Sequence, residues 1–260
     1  MKNSKLYINS TIAFVTAFLL TTLIHEGGHF IAYLILNANP TMYHNYVQVT
    51  DQTLSNQIRI IAALAGPVIS LIQGIVLFIW LKEKMKNNDY NLLGLWLCLF
   101  GFINFFGYLM LTPLSTEGDT GKVAQLLSIP FVYKTLISVF GLAAVIFVVQ
   151  KTGRWFARFI PDNTEISIRR KYINMLVLFP ILTGSVINSV LAFPLPSILS
   201  IIYPATSSYV ILSSYGRILK TRYGTSGPSI LENKISQRLV IFLLAMLFLR
   251  FIFSTGIKFS

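Results

Sequence analysis

The sequence predicts an all-α, polytopic transmembrane helical bundle of about seven spans. Three observations carry that reading. Hydrophobic residues make up 54% of the 260, and the mean hydropathy is +0.67. Charged residues make up only 12%, against about 25% in a soluble domain. Apolar runs of about 20 residues recur along the whole chain, the length a helix needs to cross a hydrocarbon core of about 30 Å. No sizeable soluble domain is expected. The net charge of +12 does not imply nucleic acid, because the basic residues cluster in short loops between apolar runs. That is a topology pattern, and the lipid bilayer with its anionic headgroups is the partner it implies. Cys98 is the single cysteine; it lies in an apolar run and reads as a core residue, and no intramolecular disulfide can form.

The spans follow in order. The first covers 10–36, with Gly27 and Gly28 in its second half. Each glycine costs about 1 kcal/mol of helix propensity relative to alanine, and small residues let a second backbone come close; either packing or room for a substrate would use them. Lys2 and Lys5 before this run imitate a signal peptide, but cleavage near residue 25 would destroy the motif described below, so the span is read as uncleaved. Residues 37–57 are polar and read as a loop or short hairpin on the membrane, with a weak alternation at Tyr46-Val47-Gln48-Val49-Thr50. His44 lies here, where a lone histidine is ordinarily solvated. Span two covers 58–81 and contains Ala65-Gly66-Pro67; the proline frees a carbonyl and is expected to kink the helix.

Span three covers 92–111 and contains Asn104; Pro113, Glu117, Gly118, Asp119 and Gly121 follow directly. Asp119 suits the N-cap of a short helix over 122–129. Span four covers 131–149. The basic segment 151–172, with Trp155, Phe156 and Phe159, reads as interfacial. Residues 173–214 are too long for one span, and Phe193-Pro194-Leu195-Pro196 divides them into spans five and six. Pro204 allows the sixth to be re-entrant, which would leave six crossings. A basic loop over 217–233 contains Gly224 and Gly227-Pro228, and span seven covers 235–257. Arg250 within span seven is expected to snorkel or to pair inside the bundle, and Lys134, near a span end, to snorkel.

With seven spans, about sixteen lysines and arginines fall on the amino-terminal side and about four on the other. The positive-inside rule then makes the amino terminus cytoplasmic, in an integral, multi-pass membrane protein expected in a bacterial cell membrane. The same count puts His25 and Asp119 toward the opposite face.

The chemistry concentrates at His25-Glu26-Gly27-Gly28-His29, which holds two of the three histidines. Residues four apart share one helix face, about 5–6 Å apart at Cβ, so both imidazoles can grip one metal ion. Glu26 sits on the neighbouring edge, where it can reach a metal-bound water without displacing it. That is the arrangement of HExxH zinc hydrolases, with two histidine ligands and a glutamate general base. Ionisable groups at membrane depth are expensive and usually functional.

These residues resemble the site-2 protease family of intramembrane zinc metalloproteases. The HExxH match is complete, Ala65-Gly66-Pro67 looks like the small-residue and proline element of the intervening span, and the stretch from Pro113 to Asp119 resembles the third motif. The resemblance implies one zinc ion per chain held by His25, His29 and Asp119, with Glu26 catalytic, hydrolysing a peptide bond in or near a transmembrane helix of a membrane-protein substrate. Thr120 separates Asp119 from Gly121, and Asn104 stands nine positions before Pro113, so Glu117 stays open as the third ligand. The family's sites commonly face the cytoplasm, unlike the orientation counted here. The resemblance makes 1–130 a zinc-protease-like core of three spans and leaves 131–260 as additional transmembrane helices of unassigned role. Outside the family, the chain would be a non-catalytic metal-binding scaffold, or a transporter using His25, Glu26 and His29 as a proton or ion relay. Oligomeric state is not encoded in any motif.

Overall fold

The computed structural model describes residues 2–51, 53–223 and 230–258. It is an all-α bundle with one small sheet. Helix α1 (Lys2–Ile35) runs through its centre, and α2 (Asn56–Lys84) and α3 (Asp89–Leu111) pack on it as an antiparallel hairpin. The end holding the start of α1 is called the near end, the opposite one the far end. Polar caps start both hairpin helices. The Ser55 hydroxyl accepts from the Ile58 amide at 3.4 Å and the Asn88 carboxamide from the Asn91 amide at 2.9 Å, satisfying amides that a helix start leaves bare.

At the far end α4 (Asp119–Leu126) follows α3. Helix α5 (Phe131–Gly153) returns to the near end and continues as a 3₁₀ turn over Arg154–Phe159. Helix α6 (Ile166–Ile173), a π turn over Asn174–Leu178 and α7 (Phe179–Leu191) then form one continuous element back to the far end. Among the described residues, six helical elements are long and apolar enough to cross a membrane.

The expected sixth span is not a single helix. Its place is taken by α8 (Leu199–Thr206), a 3₁₀ segment over Ser207–Ser214 and α9 (Tyr215–Lys220). Pro204, which cannot donate to the preceding turn, lies inside α8. This broken element nevertheless joins the two ends. Just before it, Asn45 donates to the Ala192 carbonyl at the far end (2.8 Å). Along α9, the Ile218 and Leu219 carbonyls accept from Arg169 at the near end (3.2 and 2.9 Å). The short α10 (Ile230–Asn233) docks on the start of α1, where Asn9 Nδ2 donates to the Leu231 and Lys234 carbonyls, both at 2.9 Å. Helix α11 (Gln237–Ser254) returns to the far end. There β1 (Pro40–Met42) pairs with β2 (Val47–Val49) and with β3 (Ile257–Lys258), both antiparallel, in the order β2-β1-β3. The alternation at 46–50 is therefore a strand of a hairpin, while Gly224 and Gly227-Pro228 lie outside the described residues.

An aromatic core closes the near half. Phe14 meets Trp96 edge-on (4.9 Å, 79°) and Phe100 likewise (5.0 Å, 74°), and Phe156 lies against Trp96 (4.8 Å). The Trp96 indole donates to Ser10, whose hydroxyl donates to the Leu176 carbonyl (3.2 and 2.6 Å). Three expectations are corrected here. Trp155, Phe156 and Phe159 are core residues rather than interfacial anchors, because the 3₁₀ turn rolls them onto α3. The N-cap of α4 is Gly118, and Asp119 is its first residue, with its carboxylate aimed elsewhere. His44 is buried rather than solvated, since the hairpin folds down over the end of the bundle.

Candidate metal centre

His25 and His29 lie one above the other on α1, as their spacing requires. Both are buried. Asp119, from the first turn of α4, meets them from the side. The three ligand atoms form a nearly regular triangle. His25 Nε2 is 3.0 Å from Asp119 Oδ2, His29 Nε2 is 3.3 Å from the same oxygen, and the two Nε2 atoms are 3.0 Å apart. Ligands bound at about 2.0–2.1 Å to a tetrahedral ion stand about 3.3 Å from one another. The triangle is the size of one face of such a tetrahedron, and these three residues can hold a metal ion.

The opposite sides of the rings decide what points into the triangle. His29 Nδ1 is 2.7 Å from the Ala62 carbonyl, which can only accept, so that nitrogen carries the proton. His25 Nδ1 is 3.3 Å from Ser70 Oγ, whose own hydrogen goes to the Gly66 carbonyl (3.1 Å). Ser70 therefore accepts, and His25 Nδ1 is the protonated nitrogen. When both imidazoles are neutral, the lone pair on Nε2 faces inward, beside a carboxylate oxygen. Three acceptors then converge with no hydrogen among them, an arrangement suited to a cation in the middle. Helix α2 thus supplies the outer partners that fix ligand tautomers in metal sites.

The sequence around these groups has local reasons. A Cβ on Gly66 would lie 2.3 Å from His29 Nε2, and one on Gly28 would lie 2.8 Å from the Ala65 carbonyl oxygen. Ala65-Gly66-Pro67 is the surface on which His29 rests, and Gly28 lets α1 approach it. Gly27, in contrast, has nothing within 4 Å of its Cβ position. A Cβ on Gly121 would collide with the Ser115 carbonyl oxygen at 1.8 Å, so this glycine lets the turn after α3 fold back and present Asp119.

No family model, curated protein or solved structure matches the chain.

Tyr108 was not singled out from the sequence. Its ring stacks on His25 at 5.2 Å with 5° between the planes, and its hydroxyl lies within electrostatic reach of Asp119. The signal was available in principle, because Tyr108 is the last polar ring of span three before the turn that carries Asp119.

The centre opens into a cavity of about 660 Å³. Glu26 lines it, within electrostatic reach of His25, His29 and Asp119. Glu117 is exposed at the cavity's rim and lies outside the triangle. His44 also lines the cavity away from the triangle, and residues beyond 130, including Asn188, Tyr203 and Arg250, line it as well.

Proposed function

We propose that the chain is an intramembrane zinc metalloprotease of the site-2 protease type. The observation that carries this reading is the triangle of two inward lone pairs and one carboxylate oxygen, with Glu26 beside it in a cavity set within apolar helices. The HExxH motif and its resemblance to that family support it. We read the chain as crossing the bilayer seven times, counting the broken 199–220 element, with a cytoplasmic amino terminus and the centre nearer the other face.

A zinc ion held by His25, His29 and Asp119 would lower the pKa of a bound water to about 7 and polarise the scissile carbonyl. The protein's own residues do the rest. Glu26 takes the proton from the attacking water and returns it to the departing amine, so that water adds across the C–N bond to leave a carboxylate and an amine. Tyr108 and the α2 partners hold the ligands in one orientation. A substrate helix must unwind locally, because its carbonyls are tied up in hydrogen bonds, and the cavity offers that segment a mixed apolar and polar lining.

The test is Glu26→Gln in cells whose membrane proteins are profiled for new termini, with the zinc content of the purified variant measured in parallel. The expected result is loss of the cleavage products with one zinc per chain retained. Unchanged products would end the general-base assignment. Absence of zinc from the unmodified protein, together with pH-dependent flux in vesicles, would favour the transporter reading instead.

A further inference from the structure

The wall of the cavity contributed by the second half of the chain has polar groups that neither the fold nor the metal centre uses. Arg250 on α11 enters at the far end, where Nε and Nη2 donate to the Leu191 and Phe193 carbonyls. Those two bonds fix the guanidinium on the end of α7 and leave three of its five N–H groups. Among the described residues it has no carboxylate partner. Asn188 lies one turn earlier on α7, 1% exposed, and neither atom of its carboxamide has a hydrogen-bond partner among the described residues. His44 faces the same corner, 7% exposed and within electrostatic reach of Arg250. Neither of its ring nitrogens makes a hydrogen bond of good geometry among the described residues; the nearby Ala192 carbonyl, which accepts from Asn45, acts on the ring only weakly. All three side chains line the cavity that holds Glu26 and the triangle.

Buried groups left without partners are rare in folded proteins, and here two converge beside an arginine with free donors. The free guanidinium N–H groups suit the paired lone pairs of a planar carboxylate. The Asn188 amide and one N–H of His44 add further donors. The cavity already carries Glu26 and Asp119, which favours a singly charged guest over a dianionic phosphate. We propose that the Arg250–Asn188–His44 corner is a subsite for a carboxylate of the peptide substrate, either its free C-terminus or an Asp or Glu side chain a few residues from the scissile bond. This assignment rests on the protease reading for the peptide nature of the guest. It gives residues 131–260 a role, that of selecting the substrate.

The experiment is peptide binding to the full-length zinc-loaded protein in detergent, carrying Glu26→Gln so that bound peptide persists. Four acetylated leucine–alanine pentapeptides are compared by fluorescence anisotropy: a free C-terminal acid, its amide, and amides with a central Glu or Gln. The expected result is binding at least tenfold tighter for an acid-bearing peptide than for its neutral twin. Preference for the free acid assigns the C-terminus and preference for Glu assigns the side chain. Arg250→Gln should bring that ratio below twofold. If Arg250→Gln does not fold, Asn188→Leu should lower the ratio several-fold, and 0.5 M salt should weaken the acid arm alone. Equal binding of acid and neutral peptides would overturn the proposal. So would a preference that survives both substitutions and vanishes on chelation, since the carboxylate would then sit on the metal. A protein that shows the preference but yields no cleavage products when Glu26 is intact would keep the subsite and remove the protease reading.

Discussion

The imidazole of His29 rests on the backbone of Gly66, so closely that a methyl group there would stand 2.3 Å from Nε2. The absent side chain on α2 is thus part of the metal centre on α1. Gly66→Ala is expected to push the ring out of the triangle and lower zinc affinity by about 100-fold or more, by analogy with losses from disturbed outer partners. Gly27→Ala is the control, because its Cβ position is open. It should retain zinc and gain up to about 1 kcal/mol of stability from helix propensity. Zinc competition assays and thermal unfolding on both variants check the pair.

Ser70 contributes one hydroxyl to His25 and one hydrogen to the Gly66 carbonyl. Ser70→Ala leaves His25 Nδ1 without its acceptor and lets the ring change tautomer. Zinc affinity should fall by about 10- to 100-fold with helix content unchanged by circular dichroism.

Tyr108 meets the centre through its ring, stacked on His25, while its hydroxyl stands within electrostatic reach of Asp119. Tyr108→Phe removes only the hydroxyl and should cost about tenfold in zinc affinity. Tyr108→Leu removes both and should cost more. Equal losses in the two variants would assign the whole effect to the stacked ring.

How much of this was legible in the sequence varies by element. The bundle was, since of about seven spans read from apolar runs, six are helices long and apolar enough to cross a membrane and the sixth in order is broken. The triangle was legible in its helical half, because i and i+4 on one helix face is local geometry. Asp119 came through the resemblance and not from geometry, because the fold-back of the turn depends on Gly121 against Ser115, a contact across the turn that no periodicity encodes. The burial of His44 was illegible for a similar reason. A polar loop reads as solvated until β3, from the other end of the chain, pairs with its first strand. Trp155, Phe156 and Phe159 carried the aromatic and basic composition of an interface, yet a 3₁₀ turn rather than an α-helix turned them inward.

The buried position of His44 makes the hairpin pH-sensitive. Burial, reinforced by Arg250 and only partly opposed by the Ala192 carbonyl, lowers its pKa from 6.5 to about 4. A base whose folded pKa is depressed takes up its proton more readily when released, so acid favours release. The stability that the hairpin draws from His44 should be intact above about pH 6.5 and fall progressively toward pH 4. Hydrogen exchange of the 40–49 amides should therefore accelerate over that window, beyond the intrinsic pH effect, in the wild-type protein and not in His44→Gln.

The most direct test of the central claim is zinc stoichiometry, by elemental analysis of protein purified without added metal, across wild type, Asp119→Ala and Glu117→Gln. The account predicts one zinc per chain in wild type and Glu117→Gln, and less than about a tenth of that in Asp119→Ala, because removing one of three protein ligands leaves too few to hold the ion. A metal-free wild type, or zinc that survives Asp119→Ala and disappears in Glu117→Gln, would contradict it.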